Sequence, residues 1–211
     1  MSHELARDAA ACEDRPAMAR EFTELRLDEY LDELARESRV PGVGPAAALT
    51  VAAAAALVAM VARFVRNEWD EGRTCAIQAE TLRRRAVDLA REDAEALTAF
   101  VDERERPVDV RPDTHDFKLG RTLDRAADVP LAIATTACDV AMLAAHVAVH
   151  AEHDVRADAI GAGFLASGAA QAAAHLVEIN LAAGADDRRL RDAEALARAA
   201  GDAVARVASP V

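Results

Sequence analysis

The chain has 211 residues, of which 54 are alanine and only 3% are aromatic, and its formal net charge is −12. Alanine is the best helix former, and segments that predict strands are missing, so the composition predicts a single all-α domain. An acidic surface repels phosphate, which argues against nucleic acid and membrane surfaces as partners.

The N-terminus predicts a flexible leader over residues 1–21, followed by one helical domain over 22–211. The leader contains acids and no apolar stretch of the kind that a secretory signal needs. Cys12, Cys75 and Cys138 lie far apart with no CxxC spacing, a pattern typical of reduced thiols rather than of disulfides or a zinc site. We therefore expect a cytoplasmic protein.

Hydrophobic spacing predicts a bundle of six or seven helices. Thr23 is the expected N-cap of the first helix, which runs through LRLDEYLDELARES, and Pro45 begins the second, which is rich in alanine and ends near Asn67. Gly184 is the expected C-cap of the sixth. The remaining predicted helices cover residues 74–104, 113–128, 130–151, 154–183 and 186–207.

The run from Val40 to Ala62 contains no charged residue, so a membrane-spanning helix is one interpretation of it. A span needs about 20 strongly apolar residues. Here the breaks before residue 46 leave only 46–62 as clean helix, and ten of those seventeen residues are alanine. No other segment is expected to supply a second span, so we predict no membrane helix.

The same run contains a glycine pattern, because Gly42, Gly44 and Ala47 match G-x-G-x-x-A. That fingerprint binds dinucleotides when it follows a strand, whereas a helical pattern precedes it here. Two interpretations remain open. The loop can open a helix whose free N–H groups hold an anion, or it can be a tight turn between two helices.

Asp93 is the most informative single residue. It lies four residues after Leu89 and four before Leu97, which places a carboxylate on the buried stripe of its helix. Burial raises the pKa of an acid and suits it to carry protons near neutral pH. The alternatives are an acid at the edge of the stripe and one paired with an arginine such as Arg63 or Arg121.

Histidines form two further candidates. His146, His150 and His153 follow an H-x3-H-x2-H spacing on one helix face, and imidazoles at i and i+4 can share a metal. Such a run is more often a solvated helix end, and we predict no metal site. His175 lies among alanines, which favours a packed core histidine over a base.

Four segments together resemble a known family. They are LDELARES followed by PGVG and an alanine-rich helix ending in MVARF, then LAREDAEALTAF, then AADVPLAIA, then RADAIGAGFLASGAAQAAAHLVEINL. In this order and spacing they resemble the cyclodeaminase/cyclohydrolase family of folate enzymes. That family includes the cyclodeaminase domain of formiminotransferase-cyclodeaminase and bacterial methenyltetrahydrofolate cyclohydrolases.

The resemblance implies chemistry at the one-carbon unit of a tetrahydrofolate derivative, which would be the substrate, with no bound cofactor and no metal. It implies Asp93 and Asp158 as the catalytic residues; on spacing alone, Asp158 has the default role of complementing a helix N-terminus. It also implies that the pocket is lined by Pro41, Gly42, Gly44 and Asn180.

Several positions depart from the family pattern. Val43 replaces the middle glycine of the loop, Pro45 replaces its serine, Ala157 replaces a serine, Glu152 an asparagine, and Leu176 an asparagine. Hydroxyl and amide donors are lost at these places. A non-catalytic helical relative and an enzyme for a different small ligand therefore remain alternatives to the folate enzyme.

The small side chains of the core bury little apolar area each, so we expect a second subunit to complete it. Gly161, Gly163 and Gly168 predict close contacts between helices, some of them across the interface of a homodimer.

Overall fold

A computed structural model describes residues 23–38, 40–105, 112–181 and 187–208. They form six helices and, within these ranges, no strand, which confirms the all-α prediction. The expected leader, Cys12 and Gly184 lie outside the described residues. The helices are α1 Leu27–Leu34, α2 Val43–Val65, α3 Gly72–Glu105, α4 Pro112–His150, α5 His153–Asn180 and α6 Arg188–Ala208.

Helix α2 lies at the centre of the bundle and packs against α3, α4 and α5. Ala48, Ala54, Ala55 and Ala59 are completely buried. Their small side chains allow neighbouring helices to approach closely, which explains why the uncharged run is so rich in alanine. The core extends through α4 and α5, which bury Ile133, Val140 and a series of alanines.

Three helices are long and apolar enough to cross a membrane by length and composition alone, namely Val43–Val65, Lys118–His150 and Asp154–Asn180. The expectation that no segment besides the second helix has this character was therefore wrong. In this single chain the most apolar window of each is 56%, 67% and 44% buried, respectively. Packing against neighbouring helices thus already covers about half of that surface.

Two helix starts differ from the prediction. Arg26, not Thr23, is the N-cap of α1, and the Thr23 hydroxyl instead accepts a hydrogen bond of 2.8 Å from Arg91 Nε of α3. Helix α2 begins at Val43, two residues before Pro45. Proline is tolerated there because the first turn of a helix needs no N–H donor at that position.

The sequence predicted that Pro130 separates two helices. In the structure Pro130 instead lies inside the single helix α4. Proline has no N–H, so the carbonyl four residues earlier, that of Ala126, loses its helical donor. Asn180 of α5 replaces that donor, because its side-chain Nδ2 donates to the Ala126 carbonyl at 2.5 Å. A hydrogen bond between two helices thus satisfies the gap that proline leaves, and α4 continues.

The predicted close contacts at small residues are confirmed at Gly163. A Cβ atom there would lie 2.8 Å from a methyl carbon of Val204, so only glycine allows α6 to pack this closely. Gly161 and Gly168 differ, because a Cβ atom at either position would meet no heavy atom within 4 Å. Both face outward in the single chain.

Candidate functional site

A cavity of about 330 Å³ lies where the N-terminus of α2, the middle of α3 and the C-terminal end of α5 meet, with α4 closing one side. Its volume is at the lower end of the range for small-molecule sites. Apolar side chains dominate the wall, and Asp93 is the only ionisable residue among its described lining residues. The lining residues are Gly42, Val43, Gly44, Asp93, Ala96, Leu97, Phe100, Ala126, Pro130, Leu176 and Asn180.

Asp93 is buried, with 8% of its surface exposed. Desolvation raises the pKa of its carboxyl from 3.8 to about 6, because the apolar wall stabilises the neutral acid relative to the carboxylate. Among the described residues it has no ion-pair partner. In particular, Arg63 of α2 pairs with Glu80 at 2.6 Å, which removes one of the arginines considered as a partner for Asp93.

Gly44 forms the floor beneath this carboxyl. A Cβ atom at Gly44 would overlap the carboxyl group of Asp93, so a glycine is required for α2 to begin so close to α3. No side chain caps the start of α2 at Gly42. The N–H groups of Val43 and Gly44 lie in the first turn, where the helix itself provides no acceptor. The cavity therefore combines a buried acid with backbone donors at the positive end of a helix.

Asn180 lies at the end of α5 and lines the cavity on the opposite side. Its amide nitrogen is engaged by the Ala126 carbonyl, which leaves the amide oxygen as an acceptor. Leu176, one turn earlier, also lines the cavity. Leu176 replaces an asparagine of the family pattern. This wall therefore offers one side-chain amide, that of Asn180, instead of two.

The structure brings together four of the six predicted site residues: Asp93, Gly42, Gly44 and Asn180. Pro41 is buried in the loop before α2 and is not part of the lining. Asp158 is exposed near the start of α5, roughly 33 Å from Asn180 along that helix at 1.5 Å per residue. A single chain therefore does not place Asp158 beside Asp93.

Sequence reasoning did not assign Phe100, Ala126 and Pro130 to the cavity, although all three line it. A signal existed for each. Phe100 lies seven residues after Asp93, on the same face of the helix. Ala126 and Pro130 belong to AADVPLAIA, one of the segments on which the family resemblance rests.

The histidine run forms an aromatic cluster. The imidazole of His150 stacks on Trp69, with ring centroids 4.1 Å apart, and His146 meets the edge of the same ring at 5.0 Å. His146 Nε2 also lies 3.2 Å from a Glu71 carboxyl oxygen. No three potential ligands come together among the described side chains, which do not include that of His153.

His175 is not a core residue, and that prediction was wrong. Its side chain is 68% exposed and its Nδ1 lies 3.2 Å from Glu178 on the next turn of α5. The alanines that flank it in the sequence point to the other side of the helix, where Ala173 is buried.

The fold and the cavity define an all-α protein with a desolvated carboxyl in a site of small-molecule size. Comparison with known proteins identifies the family. Residues 26–199 match the formiminotransferase-cyclodeaminase family, and the chain belongs to it.

A relative in sequence supports this assignment, and a solved structure has a similar fold. The chain is 33% identical over 189 residues to methenyltetrahydrofolate cyclohydrolase of Methylorubrum extorquens, covering 83% of this chain and 90% of that protein. The fold of the present chain is similar to that in the crystal structure of formiminotetrahydrofolate cyclodeaminase from Thermotoga maritima. That match has a TM-score of 0.75 and 24% identity, and covers 87% of this chain and 95% of the other.

Proposed function

We propose that this protein is a folate one-carbon enzyme and that it hydrolyses methenyltetrahydrofolate to the formyl derivative. A relative that is 33% identical in sequence is a methenyltetrahydrofolate cyclohydrolase. The single observation on which the proposal rests is the position of Asp93, a desolvated carboxyl in an apolar cavity beside a helix N-terminus. Acid–base chemistry on a cationic ring needs such a group.

The reaction requires one proton carrier. Water adds to the methenyl carbon of the cationic amidine, and the new C–O bond forms as Asp93 takes one proton from that water. The bond from this carbon to one ring nitrogen then breaks as that nitrogen receives the proton from Asp93. The hydroxyl proton leaves to solvent, so the products are a formyl group and one released proton, and Asp93 returns to the carboxylate.

A pKa of about 6 suits both halves of this cycle. Near pH 7 most of the free enzyme holds Asp93 as the carboxylate, the form that accepts a proton. The same carboxylate stabilises the cationic substrate electrostatically in a cavity with a mainly apolar wall. Once the charge on the ring is lost, the neutral acid is again favoured by its apolar surroundings and is ready to protonate the leaving nitrogen.

Ring closure of formiminotetrahydrofolate with loss of ammonia is the second candidate reaction, favoured by the family match over residues 26–199. It also needs a group that moves a proton beside a cationic amidine. Leu176 in place of an amide donor favours the third reading, a relative that keeps the fold without folate turnover.

One experiment separates the three readings. Purified protein is supplied with methenyltetrahydrofolate, and separately with formiminotetrahydrofolate, against blanks that correct for spontaneous hydrolysis. We expect accelerated loss of the methenyl chromophore with the first substrate. Release of ammonia with the second substrate alone would assign the cyclodeaminase reaction. Failure to bind either folate at high micromolar concentration would remove the folate proposal.

We also propose that the protein is a cytoplasmic homodimer without a bound cofactor or metal. Support for the dimer comes from α5, where Phe164 and Leu165 are 57% and 45% exposed between Gly161 and Gly168, which leave room for close approach. Support for a reducing compartment comes from Cys75 and Cys138, which are free thiols. The proposed compartment is independent of the catalytic proposal.

Light scattering tests the assembly. We expect a dimer at low micromolar concentration and a monomer for Phe164→Glu, because the added charge would have to be buried without a partner. Gly120→Glu introduces the same charge at an exposed position of α4 and serves as the matched control. A stable monomer for the unmodified protein would refute the dimer.

A further inference from the structure

A second, larger cleft lies at the opposite end of α2 from the Asp93 cavity. Its volume is about 720 Å³, and it is formed by the C-terminal end of α2, the two residues that follow it and the N-terminal part of α3 up to Arg84. Four arginines dominate its wall. The lining residues are Arg63, Arg66, Asn67, Arg73, Ala76, Ile77, Glu80 and Arg84.

This concentration of positive charge is unexpected on a chain whose formal net charge is −12. Most of the described arginines elsewhere are engaged by acids. Arg189, for example, binds Asp187, Asp124 and Asp128. In contrast, Arg66, Arg73 and Arg84 make no hydrogen bond or ion pair with any described residue. With 37 acidic residues in the chain, a shortage of partners does not explain why these three remain unpaired in one cleft.

The cleft offers several guanidinium groups to one anion. Guanidinium groups that line one cleft repel one another, and an anion bound between them replaces repulsion with charge-assisted hydrogen bonds. The planar fork of arginine matches the oxygens of phosphate and carboxylate groups in pairs. The cleft is large enough for several such groups, while Ala76 and Ile77 provide an apolar strip beside them.

We infer that this cleft is a binding site for a small polyanion with at least two phosphate or carboxylate groups. Gly44 and Arg63 lie near opposite ends of α2, roughly 29 Å apart at 1.5 Å per residue. The anion site is therefore separate from the Asp93 cavity and does not depend on the reaction proposed there.

Glu80 gives the site an internal competitor. Its two carboxyl oxygens accept hydrogen bonds from Arg63 Nη2 at 2.6 Å and from Arg83 Nε at 2.8 Å. The carboxylate thus occupies Arg63 and contributes negative charge to the cleft. An incoming anion has to act against both effects. Removal of this charge, with the side-chain shape preserved, is expected to improve anion binding.

Isothermal calorimetry at low ionic strength tests the site with two probes, tripolyphosphate for the phosphate class and tricarballylate for the carboxylate class. We expect micromolar binding of at least one probe, and the tighter probe identifies the class. Arg66→Gln and Arg84→Gln should each weaken that binding about tenfold. Glu80→Gln should tighten it several-fold.

The matched control is Arg85→Gln. Arg85 is the neighbour of Arg84 on α3 and pairs with Glu92 at 2.8 Å outside the cleft, so the substitution changes the net charge equally. The Arg85→Gln variant should bind the anion probe with the same affinity as the unmodified protein. Asp93→Asn should also bind the probe unchanged, which separates a failure of this inference from a failure of the folate proposal.

Three outcomes would overturn the inference. The first is no binding of either probe by the unmodified protein at millimolar concentration. The second is an equal loss in Arg84→Gln and Arg85→Gln, which would indicate attraction by net charge alone. The third is dissociation of the oligomer by Arg66→Gln without a change in anion affinity, which would make the cleft a subunit contact.

Discussion

Asp93→Asn is expected to stabilise the protein in a pH-dependent way. Desolvation raises the pKa of Asp93 from 3.8 to about 6 in the folded state, so the folded protein binds this proton more tightly than the unfolded chain does. The unfolding free energy therefore falls as pH rises through the interval between these two values. A shift of about two pKa units corresponds to about 3 kcal/mol. Asparagine is nearly isosteric and carries no charge at any pH, so it avoids this loss.

Urea denaturation between about pH 4 and pH 8, followed through the fluorescence of the single tryptophan, Trp69, measures the effect. The difference in unfolding free energy, variant minus unmodified protein, should increase by about 2.5 kcal/mol from pH 4 to pH 8, because at pH 4 the carboxyl of the unfolded chain is already partly ionised. Any constant cost of burying an amide cancels in this pH-dependent part. Asp102→Asn, at an exposed position on the same helix, should show no such change and is the control.

Two results would refute the reasoning. A difference that does not change with pH would mean that the pKa of Asp93 is not raised by burial. A variant less stable by about 3–5 kcal/mol at neutral pH would indicate a buried charged partner that loses its counter-charge. That result would restore the interpretation of Asp93 as one half of an ion pair.

Three further predictions follow from the cavity. Gly44→Ala should reduce turnover and destabilise the protein by about 1–3 kcal/mol, because the new methyl group overlaps the carboxyl of Asp93. Gly120→Ala, where nothing lies within 4 Å, should leave turnover unchanged and stability unchanged or slightly increased. Equal effects at the two positions would contradict the close contact between Gly44 and Asp93. The specificity constant kcat/KM for methenyltetrahydrofolate should fall tenfold per pH unit below about pH 6, and a profile that is flat down to pH 5 would exclude Asp93 as the base. Asn180→Ala should lower the free energy of unfolding by about 1–3 kcal/mol, since it leaves the buried carbonyl of Ala126 without a donor. The loss should be smaller in a Pro130→Ala background, where the backbone N–H is restored. Additive free energies in this double-mutant cycle would show that Asn180 does not compensate for the proline.

The fold was predictable because its determinants are periodic. The stripe that contains Leu89 and Leu97 indicates which face of α3 is buried, and Asp93 falls on that stripe. Spacing therefore indicated a buried position for Asp93 but left the edge of the stripe open as an alternative, and the structure decides for burial. The all-α class followed from alanine content in the same way, because helix propensity is a local property.

What could not be predicted depends on contacts between distant segments. Pro130 was expected to end a helix because a local rule says so. The exception requires Asn180, which lies 54 positions after Ala126, the residue whose carbonyl it binds. His175 was assigned to the core from its alanine neighbours, but which face of α5 is buried depends on the helices that pack against it. The overlap between Gly44 and Asp93 likewise exists only once α2 and α3 are in place.

Asp158 shows a third kind of limit. The family resemblance indicates a role for it in the site, whereas the single chain places it on the surface near the far end of α5 from the cavity. Only an assembly that brings the start of one α5 near the cavity of another chain can unite the two acids. The oligomeric state therefore bears directly on whether both residues belong to one site.

The most direct test of the proposed function is the rate of methenyltetrahydrofolate hydrolysis by the unmodified protein and by Asp93→Asn, measured on matched preparations with the melting temperature recorded for each. We predict catalysis well above the spontaneous rate for the unmodified protein, and a fall to that spontaneous rate for a variant that remains folded. A folded Asp93→Asn variant with an unchanged rate would contradict the account, as would an unmodified protein that does not accelerate the reaction.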